Sequence, residues 1–346
     1  MSGPVKRLVI LTMLIASTAA NAHHSFSAIF DSGRVIEIEG KITRVVWANP
    51  HVRFSLESLS DNDTWSIESH SVSILARMQI GRDILKPGDV VTLAGNPSKH
   101  STTELFALHA LLPGGEEVVF DPRGEPRWGS KRIGSNKYWV EPDTSDFAGG
   151  KSLFRVWSTV VSDPASFPLF PEGFDPSFDI SSYPLTQAAR ESLAAFNPLT
   201  DAPTLNCVPK GMPTIMEQPY PMEFVRRQGS IDLRIEEYDT LRTIHLDDTS
   251  AARQSPSRLG HSIGQFERDT LVVTTTQINW PHFDTVGIPL SEDVEVTEWF
   301  TLSDDGKTLN YRLRVTDPAT FTEPVEREKY WLAVPGIEVQ PYSCTL

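Results

Sequence analysis

The sequence predicts a mostly β protein: a small OB-like barrel, an irregular connector with one helix, and an antiparallel β-meander closing as a lipocalin-like barrel. Three observations predict it. Apolar and polar residues alternate with period two along one run after another, the sign of half-buried strands. Clusters of Asp, Asn, Gly and Pro separate those runs at short intervals. The 26 prolines leave few stretches with helical periodicity.

The first domain is expected over residues 23–112. Arg34 to Trp47 alternates as one long strand with a bend at Gly40, and Asn49-Pro50 breaks it. His51 to Leu56 resumes the alternation as a hairpin partner, and Asp61-Asn62-Asp63 turns into Thr64 to Glu68. A short helix is expected over 71–80, capped by Ser71 or Ser73. Lys86-Pro87-Gly88-Asp89 then turns into the strand Val90 to Ala94, and a last strand runs from Leu105 to Leu111. Three strands, a helix and two strands is the element order of an OB-type barrel.

Residues 113–205 read as a connector rich in proline and isolated aromatics, among them Trp128, Trp139, Trp157, Phe167, Phe170, Phe174 and Phe178. One helix stands out at 186–196, with Thr186 as its cap and Asn197-Pro198 as its stop. The aromatics, with Trp280 further on, either line a groove for an apolar ligand or dock the connector onto the domains; docking is the simpler account. Residues 206–346 form the second β domain. Its strands are expected at 230–238, 240–246, 262–267, 270–277, 294–302, 308–315 and 325–334. Closing them into a barrel hides their edges.

Lys6 and Arg7 precede a short apolar run, and Ala20-Asn21-Ala22 has the small-residue form of a peptidase site, so residues 1–22 are expected to be a signal peptide. That run falls short of the roughly 18–20 apolar residues that span a bilayer, and no other stretch comes close. The expectation is therefore an exported periplasmic protein with no membrane span, beginning at His23. The chain's net charge is −14, which repels phosphate backbones and argues against a nucleic-acid partner. Its two cysteines, Cys207 and Cys344, are expected to form a disulfide in an oxidising compartment. Closing so long a loop constrains the unfolded chain by on the order of 5 kcal/mol.

His23-His24-Ser25-Phe26, Phe30-Asp31, Trp47-Ala48-Asn49-Pro50-His51 and Lys86-Pro87-Gly88-Asp89 resemble a family of exported bacterial proteins with a domain of unknown function. The resemblance spans 23–112 and implies an OB-like fold. Cys207-Val208-Pro209-Lys210-Gly211-Met212-Pro213, Gln218-Pro219-Tyr220-Pro221, Gly260-His261-Ser262-Ile263-Gly264 and Asp269-Thr270-Leu271-Val272-Val273 resemble a second, uncharacterised family. Its relatives read Trp-Glu-Gly-Asp where this chain has Phe266-Glu267-Arg268-Asp269, so a turn glycine is missing. Neither resemblance implies an activity.

Histidine is the most suggestive chemistry. Six of nine histidines fall between 23 and 109: His23, His24, His51, His70, His100 and His109. Cleavage after Ala22 would put a free α-amino group beside the His23 imidazole. Those two nitrogens with a third from His51 would make a T-shaped brace suited to copper, with His24 and His70 as alternate ligands. The competing account is a surface terminal histidine and a His51 bonded to a turn carbonyl. In the second domain His261, Glu267, Glu298, Arg312 and Tyr330 lie on or beside strands, and a His261–Glu267 pair is a candidate acid and base for a small apolar molecule held in the barrel. The alternative is outward-facing charges in cross-strand pairs, which suits Glu267, Glu298 and Arg312. Neighbours His261 and Ser262 point to opposite faces and cannot act as a dyad; Gly260-His261-Ser262-Ile263-Gly264 has the letters G-x-S-x-G but lacks the strand–turn–helix context of a nucleophile elbow, and no phosphate loop, haem motif or zinc-cysteine pattern occurs. Binding of a metal or small molecule is thus favoured over catalysis, with an envelope interaction module as the third reading.

Overall fold

A computed structural model describes residues 26–129, 131–134, 151–161, 163–175, 177–246 and 255–345. His23, His24, Trp139 and the expected signal peptide lie outside them.

The first barrel has five strands. β1 (Ile36–Val46) pairs with β4 (Val90–Pro97) over its first half and with β2 (Arg53–Ser58) over its second. The exchange of partners falls at Gly40, as the sequence suggests. A Cβ there would sit 2.3 Å from the Leu56 side chain and 2.6 Å from the Glu57 carbonyl, so only glycine lets the strands approach. β2 continues to β3 (Thr64–Glu68), and β4 to β5 (Glu104–Leu111). Parallel pairing of β3 with β5 closes the ring, which gives the OB strand order. A one-turn helix, α1 (Phe26–Ile29), precedes β1, and α2 (Val72–Arg77) lies between β3 and β4. Ser71 caps α2, its hydroxyl accepting from the Ile74 amide at 3.3 Å, and Ile74 and Leu75 face the core.

The sheet runs on past residue 112. β6 (Glu117–Val119) and β7 (Arg132–Ile133) add to its edge beyond β5. Buried Glu117 fastens the following loop: its carboxylate accepts from the amides of Arg127 (2.6 Å), Trp128 (2.7 Å) and Gly129 (3.2 Å) and pairs with His109 Nδ1 at 2.9 Å.

The second barrel has nine strands. Its members are β8 (Val156–Ser158), β9 (Met222–Arg226), β10 (Ser230–Ile235), β11 (Thr240–His245), β12 (His261–Glu267), β13 (Thr270–Thr276), β14 (Glu295–Leu302), β15 (Thr308–Thr316) and β16 (Val325–Ala333). They close in chain order, β16 meeting β8. The connector therefore supplies one strand of this barrel. Every pairing is antiparallel except β11 with β12, which departs from the expected meander. The lumen is packed. Trp157, Phe224, Phe300, Tyr311 and Trp331 are all buried there, with Phe300 and Tyr311 ring centroids 5.0 Å apart.

The rest of the connector docks on this barrel. α3 (Gln187–Ala195) is capped by Thr186, whose hydroxyl accepts from Ala189 N at 3.2 Å. Leu169, Phe170, Tyr183, Leu185 and Ala189 join the same core, so Phe170 and Tyr183, with Phe178 packed against them, serve docking, whereas Phe174 stays exposed.

The barrels meet at α2 and the Asn49-Pro50 loop. Arg77 donates to Ser158 Oγ at 2.6 Å, and Ser73 bonds Glu236. Burial pushes the Arg77 guanidinium down to about 10 in spite of Glu236 nearby. Cys207 and Cys344 form the expected disulfide, with Cα atoms 6.1 Å apart.

Candidate functional site

The N-terminal histidines do not gather into one group, but two of them meet. His51 follows the strand break at Asn49-Pro50, and His70 follows β3 on the neighbouring strand. The backbone pairs Val52 N with His70 O at 3.1 Å, and this register places both rings at one end of the sheet. Each ring meets Phe106 of β5 edge-on, His70 at 5.1 Å between centroids and His51 at 6.2 Å. Phe106 also carries Phe26 at 5.0 Å and Phe30 at 5.5 Å, so α1 packs on the same aromatic.

His51 Nδ1 lies 2.9 Å from Glu68 Oε2, and the carboxylate is nearly buried, with 6% of its side chain exposed. A carboxylate there accepts from Nδ1–H, the arrangement common behind metal-ligating histidines. Burial pushes the His70 imidazole down to about 4, against the pull of Asp121 and with the help of neighbouring His51 and Arg123. Burial thus keeps the His70 imidazole neutral, with a lone pair, at neutral pH. Among the described residues, no three His, Cys, Asp or Glu side chains stand together in position to hold a metal ion. His100 and His109 are engaged elsewhere, His100 Nε2 with the Ala28 carbonyl at 2.9 Å and His109 with Glu117.

In the second barrel, His261 and Glu267 occupy the two ends of β12. Six residues of extended chain separate them by about 20 Å, and Glu267 is exposed on the outside. The acid–base pair is therefore not assembled. His261 is buried and stacks on His245 at 4.9 Å. The Ser262 hydroxyl is bound to Arg242 Nε at 3.0 Å and Thr275 Oγ1 at 3.0 Å. Tyr330 bonds Asp163.

Glu298 corrects the outward placement expected for it. It faces the lumen, fully buried, with Arg242 Nη1 at 3.0 Å from Oε1 and Nη2 on Oε2. Tyr311 donates to the same carboxylate at 2.9 Å, and Arg242 Nη2 also donates to Thr275 at 2.8 Å. Burial opposes charge on Arg242, but Glu298 beside it holds the guanidinium above its ordinary range. Parity carried the signal: Glu298 shares a strand face with Val296 and Phe300, both buried. Every group in this network has a partner, so its role is structural.

A second buried cluster was not foreseen. Glu172, Glu217 and Asp284 lie where the connector caps the barrel. Tyr183 donates to Glu172 at 2.8 Å, Phe170 N to Glu217 at 3.2 Å, and the amides of Gly287 and Ile288 to Asp284 at 2.9 and 3.0 Å. Burial, then the nearby Glu172, raises Asp284 well above the usual carboxylate range. Burial likewise pushes Glu217 up to about 8 and Lys329 down to about 7. These residues come from distant loops, and nothing in their spacing joins them.

No helix among the described residues is long and apolar enough to cross a membrane. No curated protein matches the chain. His51, Glu68, His70 and Phe106 all fall within residues 11–106, and that stretch matches a family of unknown function, DUF6152.

Proposed function

We propose that this chain is an exported binding or accessory protein whose N-terminal barrel presents a histidine site for copper. His51 is the ligand set in the barrel, and His23 is the ligand freed by leader removal. His70 and His24 are the alternates. One observation carries the reading: His51, its Nδ1 held by Glu68, and Phe26 meet on the same Phe106 ring. Only two residues lie between His23 and Phe26, and those three steps reach at most about 11 Å of extended chain. A terminal amine and imidazole are borderline donors that favour Cu(II) over hard cations. With His51 anchored on Glu68 and His70 kept neutral by burial, the terminal residue would supply the remaining donors. The packed lumen of the second barrel and the separation of His261 from Glu267 give the small-molecule enzyme or carrier reading no comparable support.

The test is copper loading of protein made in the periplasm, its first residue established by intact mass. His23→Ala and His51→Ala should each lower Cu(II) affinity by about tenfold or more, a loss of at least 1.4 kcal/mol. Equal loading by the processed wild type and both variants would discard the reading.

A further inference from the structure

The outer wall of a closed barrel is convex. Here it carries a hollow of about 510 Å³, lined by two cross-strand rows of side chains. Glu267, Thr270, Thr301 and Asn310 form one row across β12 to β15. Trp299, Arg312 and Glu328 form the other across β14 to β16. With strands about 4.8 Å apart, the first row extends over roughly 14 Å, and the rows lie about 7 Å from each other. That volume falls within the roughly 300–1,000 Å³ of small-molecule sites.

Part of the lining is uncommitted, although Glu267 accepts from Gln265 Nε2 at 3.1 Å. Arg312 and Glu328 are paired in register, yet among the described residues no ion pair or hydrogen bond joins them. The Arg312 guanidinium instead stacks on the Trp299 indole at 3.9 Å. The Asn310 side chain is exposed and likewise makes no hydrogen bond among the described residues. Thr270 and Thr301 share a hydroxyl–hydroxyl bond at 2.9 Å, which leaves each further lone pairs.

Charge and polarity select the ligand. Lys329 and Tyr311 also border the hollow, but their buried polar ends turn inward, to Thr159 at 3.2 Å and to Glu298 at 2.9 Å. Two carboxylates against one exposed guanidinium disfavour an anion. One outward-facing aromatic, Trp299, among hydroxyl, amide and carboxylate groups disfavours a purely apolar molecule. A compound with apolar C–H faces for the indole and many hydroxyls for its neighbours satisfies both conditions. We infer that this face of the second barrel binds a neutral oligosaccharide, stacked on the Trp299–Arg312 pair and hydrogen-bonded by Glu267, Asn310 and Glu328. The site is independent of the histidines of the first barrel.

Calorimetric titration of the full chain with maltohexaose, cellohexaose and chitohexaose tests it, with millimolar sugar as the upper limit. At least one should bind. Trp299→Ala should weaken that sugar about tenfold or more and Asn310→Ala a few-fold, with circular dichroism and thermal melting confirming that both variants fold. Should Trp299→Ala fail to fold, Trp299→Leu takes its place. Binding of none of the three sugars, or binding untouched by the Trp299 substitution, overturns the inference.

Discussion

Asn49 of the first barrel and Cys344 near the end of the chain form a parallel β-bridge, so the disulfide that ties this tail to Cys207 also straps the loop carrying His51. Thr345 N donates to the Asn49 carbonyl at 2.9 Å, and Asn49 Nδ2 donates to the Tyr342 carbonyl at 2.7 Å. The remaining side-chain oxygen of Asn49 accepts from Val72 N, which opens α2. One asparagine thus joins the tail, the helix and the histidine loop.

Replacing both Cys207 and Cys344 with serine should therefore act at a distance. Loss of a native disulfide costs on the order of 2–5 kcal/mol. Amide exchange should quicken at residues 49–52 and 72–75 of the other barrel as well as in the tail. Exchange confined to the tail would show that the strap does not reach the histidine loop.

Glu298→Ala should be among the most damaging single substitutions in the second barrel, because it strands the buried Arg242 guanidinium. Breaking such a pair costs about 3–5 kcal/mol, whereas replacing both partners with apolar residues is often near neutral. Denaturant unfolding of Glu298→Ala should show that loss, and the double variant Arg242→Met with Glu298→Leu should regain most of it. A double variant as unstable as the single one would mean that the pair itself stabilises the fold.

Much of this was legible in local sequence. Alternation placed most strands to within a residue or two, and Ser71 and Thr186 cap the helices they were expected to cap. What escaped was short or non-local. β8 is three residues in a proline-rich stretch, too brief for any period to show, yet its buried Trp157 helps close the barrel. His51 and His70 were named as candidates, but Glu68 was not: the register of β2 against β3 makes it the partner of His51. The inward placement of Glu298 follows from its parity with Val296 and Phe300, a signal that its charge masks.

The missing turn glycine has a local cost. Arg268 sits between β12 and β13 with φ of 58°, in the left-handed region where its Cβ is crowded. The strain costs roughly 1–2 kcal/mol, and the entropy that glycine loses on folding offsets only about 0.5–1 of it. Arg268→Gly should raise stability by a few tenths to about 1 kcal/mol, read as a higher denaturation midpoint at unchanged slope. A lower midpoint would show that the arginine side chain contributes more than its backbone costs.

Glu217 gives the second barrel a pH dependence of definite sign. Its folded-state carboxyl titrates near about 8 against an ordinary 4.5, so between those values the native state keeps a proton that the unfolded chain has released. Stability must fall as pH rises through that window. Lys329 acts oppositely: from about 7 up to its ordinary 10.5 the unfolded chain binds the extra proton, and stability rises. The sum is a decline from weakly acidic to neutral pH, a level stretch between about 7 and 8 where the two cancel, and a rise above it up to 10.5. Glu217→Gln, which keeps the shape and cannot ionise, should abolish the decline and leave the rise due to Lys329. Melting midpoints of both proteins across a pH series measure this directly. Curves that run parallel would mean that Glu217 is already ionised in the folded barrel, held so by Lys210 and Lys329, the cations whose charge favours its ionised form.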